Sequence, residues 1–325
     1  MSNFSPNDFS RFSGFHILET TYKVVLDHEI ACHVLIPEHL LKEKPEAPRP
    51  ILFRVHGGGF IAGSSLFPNF FAPWHFELAA RHGAVIVSCD YRLVPEASID
   101  ELLEDVQDCL KWTQDAFPAF INDKTGIAVD TDRIMVAGDS AGGYLSLYLG
   151  LRNASSIRAV AAAYPVVDLE SPHFAEKYDK PMLGMPHLPE SIVDEHMAKI
   201  AAEGKRSIIS ADKGCARGEL MFSFIQNGRF IDIFPPSRTD LSLLKRIQAG
   251  ERFPRGGVFV WHGRNDTVVP VGGSIKLAET IREHDPELAF ELALRDGEHG
   301  FDATASIDED WMRAGMDKLV SAWLA

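Results

Sequence analysis

Apolar and polar residues along the chain follow two rhythms. Over 20–26 and 30–36 they alternate on either side of Asp27-His28, which predicts an antiparallel hairpin. From residue 51 onward, short, mainly apolar runs appear at 51–55, 84–89, 134–137, 157–164, 257–261 and 288–294. Stretches with helical spacing separate them, at 69–82, 98–117, 144–149, 272–284 and 308–324. Strands apolar on both sides and joined by helices predict a mostly parallel sheet covered on both faces, an α/β fold.

The rhythm breaks between Asp168 and Gly256, where no strand-like run occurs. Helical pieces near 189–203, 218–227 and 240–249 carry many apolar side chains, among them Met221, Phe222, Phe224, Ile225 and Phe230. A long apolar segment inside an α/β pattern reads as an ordered helical lid rather than a linker or a second domain. The expectation is one domain over 1–325, with an insertion at about 169–255. A polar arm with scattered phenylalanines (Phe4, Phe9, Phe12) leads the chain over 1–14, and 37–50 is a charged, proline-rich connection.

Composition narrows the function classes. Of the 325 residues, 46% are hydrophobic and 24% charged, as in globular proteins. A net charge of −14 argues against nucleic acid and anionic membrane surfaces as partners. No apolar run reaches the roughly 20 residues a membrane span needs. The first residues show neither the basic nor the apolar region of a secretory leader, so a cytoplasmic location is expected. Cys32, Cys89, Cys109 and Cys215 are widely spaced and form no Cys-x-x-Cys pair, which reads as reduced core thiols rather than disulfides or a metal site.

The chemistry gathers around 133–151. The apolar run 134–137 breaks at Gly138-Asp139-Ser140-Ala141-Gly142-Gly143 and resumes at once with helical spacing. Strand, tight turn and helix, with one serine at the apex and a glycine two residues to each side, is the pattern of a nucleophile elbow. Such a serine needs a base, and the base needs a carboxylate to fix its tautomer. His299, in the glycine-flanked loop after the last predicted strand, is the preferred base. His284 closes a helix, and His262 precedes the candidate acid. Asp266, in the loop after the 257–261 strand, is preferred as the acid over Asp168. The oxyanion of an acyl-transfer intermediate needs backbone N–H donors. The bare loop His56-Gly57-Gly58-Gly59 after an early strand, together with Ala141 after the serine, would supply them. No Gly-Lys-Ser/Thr follows the glycines, which excludes a P-loop.

Four motifs, His-Gly-Gly-Gly-Phe (56–60), Asp-Tyr-Arg-Leu-Val-Pro-Glu (90–96), Gly-Asp-Ser-Ala-Gly-Gly (138–143) and His-Gly-Phe (299–301), together resemble the hormone-sensitive-lipase-like branch of the α/β-hydrolases. The resemblance runs from about Ile51 to the C-terminus, apart from the insertion. It implies an eight-stranded, mostly parallel sheet flanked by helices. A helical cap would come from 1–48 and from the insertion after the sixth strand, which here is longer than in compact bacterial members. It also implies a Ser140–Asp266–His299 triad, an oxyanion hole of the Gly58, Gly59 and Ala141 N–H groups, and structural roles for His56 and Tyr91.

The reading that follows is a serine carboxylic-ester hydrolase working through an acyl-enzyme, with no metal and no organic cofactor. Its substrate would be a soluble small-to-medium ester, such as a natural-product acyl or acetyl ester. Phe60, Tyr144, Met182, Leu183, Phe222 and Phe301 are the candidate pocket residues. A lactonase, amidase or thioesterase would use the same residues. A small-molecule receptor on the same fold would be expected to have lost its base, which this chain retains. The strand over 288–294 offers an edge through which a homodimer could form.

Overall fold

The computed structural model describes residues 8–203 and 207–325, so the start of the N-terminal arm, Phe4 included, lies outside the described residues. Its strands are β1 (Phe15–Val25), β2 (His28–Pro37), β3 (Arg49–Val55), β4 (Val85–Cys89), β5 (Val129–Asp139), β6 (Ala159–Ala163), β7 (Val258–Gly263) and β8 (Phe290–Arg295). Helices α1 (Glu38–Glu43), α2 (Pro73–His82), α3 (Ile99–Asp115), α4 (Phe117–Thr125) and α5 (Ala141–Arg152) lie in the first half. Later come α6 (Pro172–Ala175), α7 (Ser191–Ala202), α8 (Gly218–Gln226), α9 (Leu243–Gln248), α10 (Gly272–His284) and α11 (Asp310–Leu324).

The eight strands form one sheet in the order β1-β2-β4-β3-β5-β6-β7-β8. β2 pairs antiparallel with both β1 and β4, and every other pairing is parallel. The mainly apolar runs have the meaning expected of them. In β3, Ile51, Phe53 and Val55 join the core on one face of the sheet, while Leu52 joins the core on the other. β8 is an edge, as the sequence pattern suggests, and its residues are only half-buried along most of its length.

Two features depart from the sequence expectation. Much of the described part of 1–48, expected as cap, is sheet: β1 pairs with β2, and β2 pairs with β4. Among the described residues ahead of β1, the turn Phe9–Phe12 lies against the body, with Phe12 edge-on to Phe71 and Phe76 at 5.5 and 5.6 Å. The helix expected over 98–117 is α3, and a further helix that the sequence pattern did not announce, α4, follows it directly with Pro118 in its first turn. α3 begins with a reciprocal cap, in which Ser98 Oγ accepts the Glu101 N–H and Glu101 accepts the Ser98 N–H.

Between β6 and β7 the chain carries α6 to α9 and contributes Phe174, Leu220, Phe224 and Phe230 to the same core as the sheet. Tyr144 Oη of α5 donates to Leu241 O at 2.6 Å, and the buried Lys180 donates to the carbonyls of His173, Glu176 and Ile225. This segment is therefore packed and hydrogen-bonded. Among the described residues, no helix is long and apolar enough to cross a membrane.

Candidate active site

The serine at the β5–α5 junction has φ 56° and ψ −117°, a left-handed backbone that a non-glycine residue holds only when its surroundings enforce it. Three contacts do so. The Ser140 N–H donates to Ala163 O at 2.9 Å, and Ser140 O accepts from Tyr144 and Val166 at 3.1 and 3.3 Å. The flanking glycines are steric requirements: a Cβ on Gly142 would lie 2.2 Å from Val55 O, and one on Gly138 would lie 2.3 Å from Gly142 O. Ala141 opens α5, so its N–H belongs to the first turn, where backbone donors have no intrahelical partner.

The loop after β3 turns back on itself, with the Ile61 and Ala62 N–H groups donating to Gly58 O at 3.0 and 2.9 Å. Gly58 holds φ +104°, and a Cβ there would meet Ala62 O at 2.1 Å. His56 anchors the loop. Its ring stacks on Tyr91 with centroids 4.2 Å apart, and its Nδ1 lies 2.7 Å from Gly57 O. Tyr91 Oη donates to His56 O at 2.7 Å. Burial pushes His56 down to about 3, so its ring is neutral at physiological pH.

His299 Nδ1 lies 2.7 Å from Asp266 Oδ2. The other Asp266 oxygen accepts the N–H groups of Val268 and Val269 at 2.9 and 2.8 Å. Burial alone would raise this carboxyl. The charges and hydrogen bonds of His299 and His262 outweigh burial and hold it well below the usual carboxylate range. Burial likewise opposes the charged form of His299, yet Asp266, Asp139 and Glu298 together raise it above its ordinary value. His262 lies 3.3 Å from Asp266 Oδ2 and is committed to Ser274 Oγ and Val269 O, each at 2.8 Å. Asp168, the rejected acid, pairs instead with Lys276.

Ser140, His299, Gly58 and Gly59 all open on one cavity of about 810 Å³. Of the expected pocket residues, Leu183 and Phe222 line it and the other four do not. Phe60 and Tyr144 are fully buried in an aromatic cluster with Phe234, at 5.0 and 5.6 Å from its ring. Met182 belongs to the core, and Phe301 sits behind Tyr164 and beside Trp311. Phe174, Met221, Ile225 and Phe230 of the insertion take their places in the lining.

Sequence reasoning also missed a set of polar residues around the serine. Arg54 is fully buried on β3, 3.2 Å from Asp139 and over the Phe71 ring at 4.0 Å. Burial raises Asp139 to about 6 despite that arginine. Tyr164 packs edge-on to His299 with centroids 4.6 Å apart. Glu298 and Asp302 flank His299 in sequence, and that adjacency was the available signal. Among the described residues, no cluster of three or more His, Cys, Asp or Glu side chains is arranged to hold a metal ion.

A strained serine between a sheet and a helix N-terminus, with a carboxylate-held histidine on the same cavity, defines an α/β-hydrolase. A family model described as alpha/beta hydrolase fold matches residues 52–208. Over 319 residues the chain is 29% identical to Probable carboxylesterase M8 of Phoma sp., covering 97% of this chain and 98% of that protein. It is 27% identical over 303 residues to Non-reducing polyketide synthase Preu6 of Preussia isomera, 84% of this chain but 13% of the synthase. An alpha/beta hydrolase superfamily protein from Enterococcus faecalis shares the fold with a TM-score of 0.60 at 19% identity, covering 95% of this chain and 98% of that one. The chain has the α/β-hydrolase fold, and over nearly its whole length it is similar to a probable carboxylesterase.

Proposed function

We propose that the protein hydrolyses carboxylic esters through an acyl-enzyme on Ser140, with His299 as base and Asp266 as its partner. The observation that carries this reading is the His299 ring, anchored to Asp266 at 2.7 Å and opening on the same cavity as the strained Ser140. With Nδ1–H donated to Asp266, Nε2 is left as the acceptor for the serine proton. Ser140 Oγ attacks the ester carbonyl, and the developing oxyanion is received by the N–H groups of Gly58, Gly59 and Ala141. The imidazolium returns the proton to the leaving alcohol, and water, activated the same way, frees the acid and restores the serine.

A mainly apolar cavity of about 810 Å³ suits a small-to-medium ester, within the roughly 300–1,000 Å³ of small-molecule sites. Residues 169–255 act in this reading as the cap that sets its shape. The likeness to a segment of a non-reducing polyketide synthase supports a natural-product acyl or acetyl ester. Ser140→Ala is expected to abolish hydrolysis of short p-nitrophenyl esters and labelling by a fluorophosphonate probe, with the circular dichroism spectrum unchanged. Undiminished turnover in that variant overturns the reading. A panel of esters, lactones, amides and thioesters then ranks the acyl groups accepted.

A further inference from the structure

We propose that Lys180 is a positioning residue for substrate choice: it ties α6, α8 and the segment 180–188 into one wall of the cavity, and so governs affinity for esters large enough to reach that wall. The inference rests on the ester-hydrolase reading above. Lys180 lies in the insertion and is 3% exposed. An ammonium has three N–H donors and no acceptor, and this one gives them to His173 O, Glu176 O and Ile225 O at 2.6, 2.5 and 2.9 Å. The first two carbonyls belong to α6 and the residue that ends it. The third is in the last turn of α8, where a cation is favourable. The Tyr178 ring lies 4.4 Å from the same nitrogen. Burial pushes the ammonium down to about 8, so at neutral pH it is charged and keeps all three donors. Drawing any of the three carbonyls away would leave a buried charge short of a partner, so the contact resists displacement of either helix.

The elements so tied carry cavity-lining side chains. Phe174 of α6 and Ile225 of α8 line the cavity, as do Leu183 and Met185 of the segment that follows Lys180. Gln226 locks that segment to α8 a second time. Its amide nitrogen donates to Lys180 O and Pro186 O at 2.9 and 3.2 Å, and its oxygen accepts the Leu188 N–H at 2.8 Å. His173 carries the tie onward, its Nε2–H donating to Val268 O at 3.0 Å, and the Val268 N–H donates to Asp266. The wall is thus held in register with the loop that carries Asp266. A short ester is held at Ser140 and the oxyanion donors and fills little of about 810 Å³, whereas a longer or bulkier one packs against the wall. Loss of the tie therefore falls on the larger esters, and it removes binding common to the ground and transition states rather than a step of the chemistry.

The test compares each variant with wild type, ester by ester, after active serines have been counted with a fluorophosphonate probe. One series varies the acyl group at constant leaving group: p-nitrophenyl acetate, hexanoate and phenylpropanoate. The other varies the alcohol: ethyl, benzyl and naphthylmethyl acetate. In Lys180→Met, KM for the largest ester of at least one series is expected to rise about tenfold with kcat within about twofold of wild type, while the smallest ester of each series keeps its kcat/KM within about twofold. Lys180→Arg keeps the charge, but its planar fork does not match three carbonyls gathered around one nitrogen, and it is expected to fall between the two. An equal loss for small and large esters overturns the proposal, because it marks a residue that only holds the fold together. No loss for any ester overturns it as well. If Lys180→Met gives no titratable serine, Lys180→Arg is judged by the same comparison. Hydrolysis of none of the esters by the wild-type protein overturns the ester-hydrolase reading instead.

Discussion

Glu298 accepts both the backbone N–H and the hydroxyl of Thr267, at 2.6 and 2.7 Å. The same carboxylate accepts the His299 N–H at 2.8 Å. One side chain thus ties the loop after β7, which carries Asp266, to the loop after β8, which carries His299. Thr267 Oγ1 in turn accepts the Leu183 N–H at 3.0 Å, which extends the tie into the insertion. Glu298→Ala frees both loops, and a misplacement of about 1 Å at a reacting group costs up to about 10²-fold. We expect kcat/KM to fall by about ten- to a hundredfold, with Glu298→Gln recovering most of it because its amide oxygen still accepts the two N–H groups. Equal activity in wild type and Glu298→Ala removes the positioning role.

The direction of the His299 shift fixes an acid limb. The base works only when neutral, and its pKa lies above the ordinary 6.5 because of Asp266, Asp139 and Glu298. Activity should therefore fall as pH drops through a midpoint above 6.5. Asp266→Asn removes the foremost charge that raises it while burial, which lowers it, remains. The midpoint should move downward and kcat should drop by up to about 10⁴-fold, since the tautomer is no longer fixed. A kcat/KM profile against pH for the two proteins checks both statements, and an unmoved midpoint contradicts the pairing.

The elbow leans on a buried ion pair. Arg54 donates to Phe70 O at 2.6 Å and to Asp139 at 3.2 Å, and both side chains are almost wholly buried. Arg54→Met leaves the carboxylate beside Ser140 uncompensated. Breaking such a pair by removing one partner costs about 3–5 kcal/mol. Urea unfolding at neutral pH should show a loss of that order, and should show a smaller loss at pH 5, where Asp139, already raised to about 6, is largely protonated. A pH-independent loss assigns the effect to packing against Phe71 instead.

What the sequence made legible was what obeys local rules. Mainly apolar runs marked β3 to β7, because strands buried on both faces have few polar positions. The glycines of the elbow and of the 56–59 loop marked themselves by spacing, because a Cβ cannot be fitted there. Chain order separated His299 from His262, and a place in a glycine-flanked loop after a strand separated it from His284 at a helix end. The pocket was less legible, because an aromatic side chain reads the same whether it lines a cavity or fills a core. Phe60 and Tyr144 are covered by Phe234, a residue some ninety or more positions away along the chain. Arg54 was hidden for the opposite reason: a charged residue within an apolar strand gives no sign of Asp139 until the fold brings them together.

Arg217 holds the insertion to the body of the protein. It precedes α8, and its guanidinium donates to Ile61 O at 2.6 Å, to Val94 O at 2.9 Å and to both oxygens of Glu96 at 2.8 and 2.6 Å. Ile61 belongs to the turn that closes on Gly58, so the same guanidinium steadies the donor loop and α8, whose Met221 lies against Gly59. His196 of α7 adds a contact to Glu96 at 2.8 Å. Asp212 fixes the approach by accepting the Ala216 and Arg217 N–H groups, each at 2.9 Å. Arg217→Ala removes all of the guanidinium's contacts at once, while the apolar core of the insertion remains. The expected result is faster limited proteolysis within 207–217 and a rise in KM that exceeds the fall in kcat, because the cavity wall loosens while the Asp266–His299 pair is untouched. Arg217→Lys, able to reach one acceptor at a time, should fall between the two. A variant whose kcat collapses with KM unchanged would place the residue's influence on the oxyanion loop rather than on the cap.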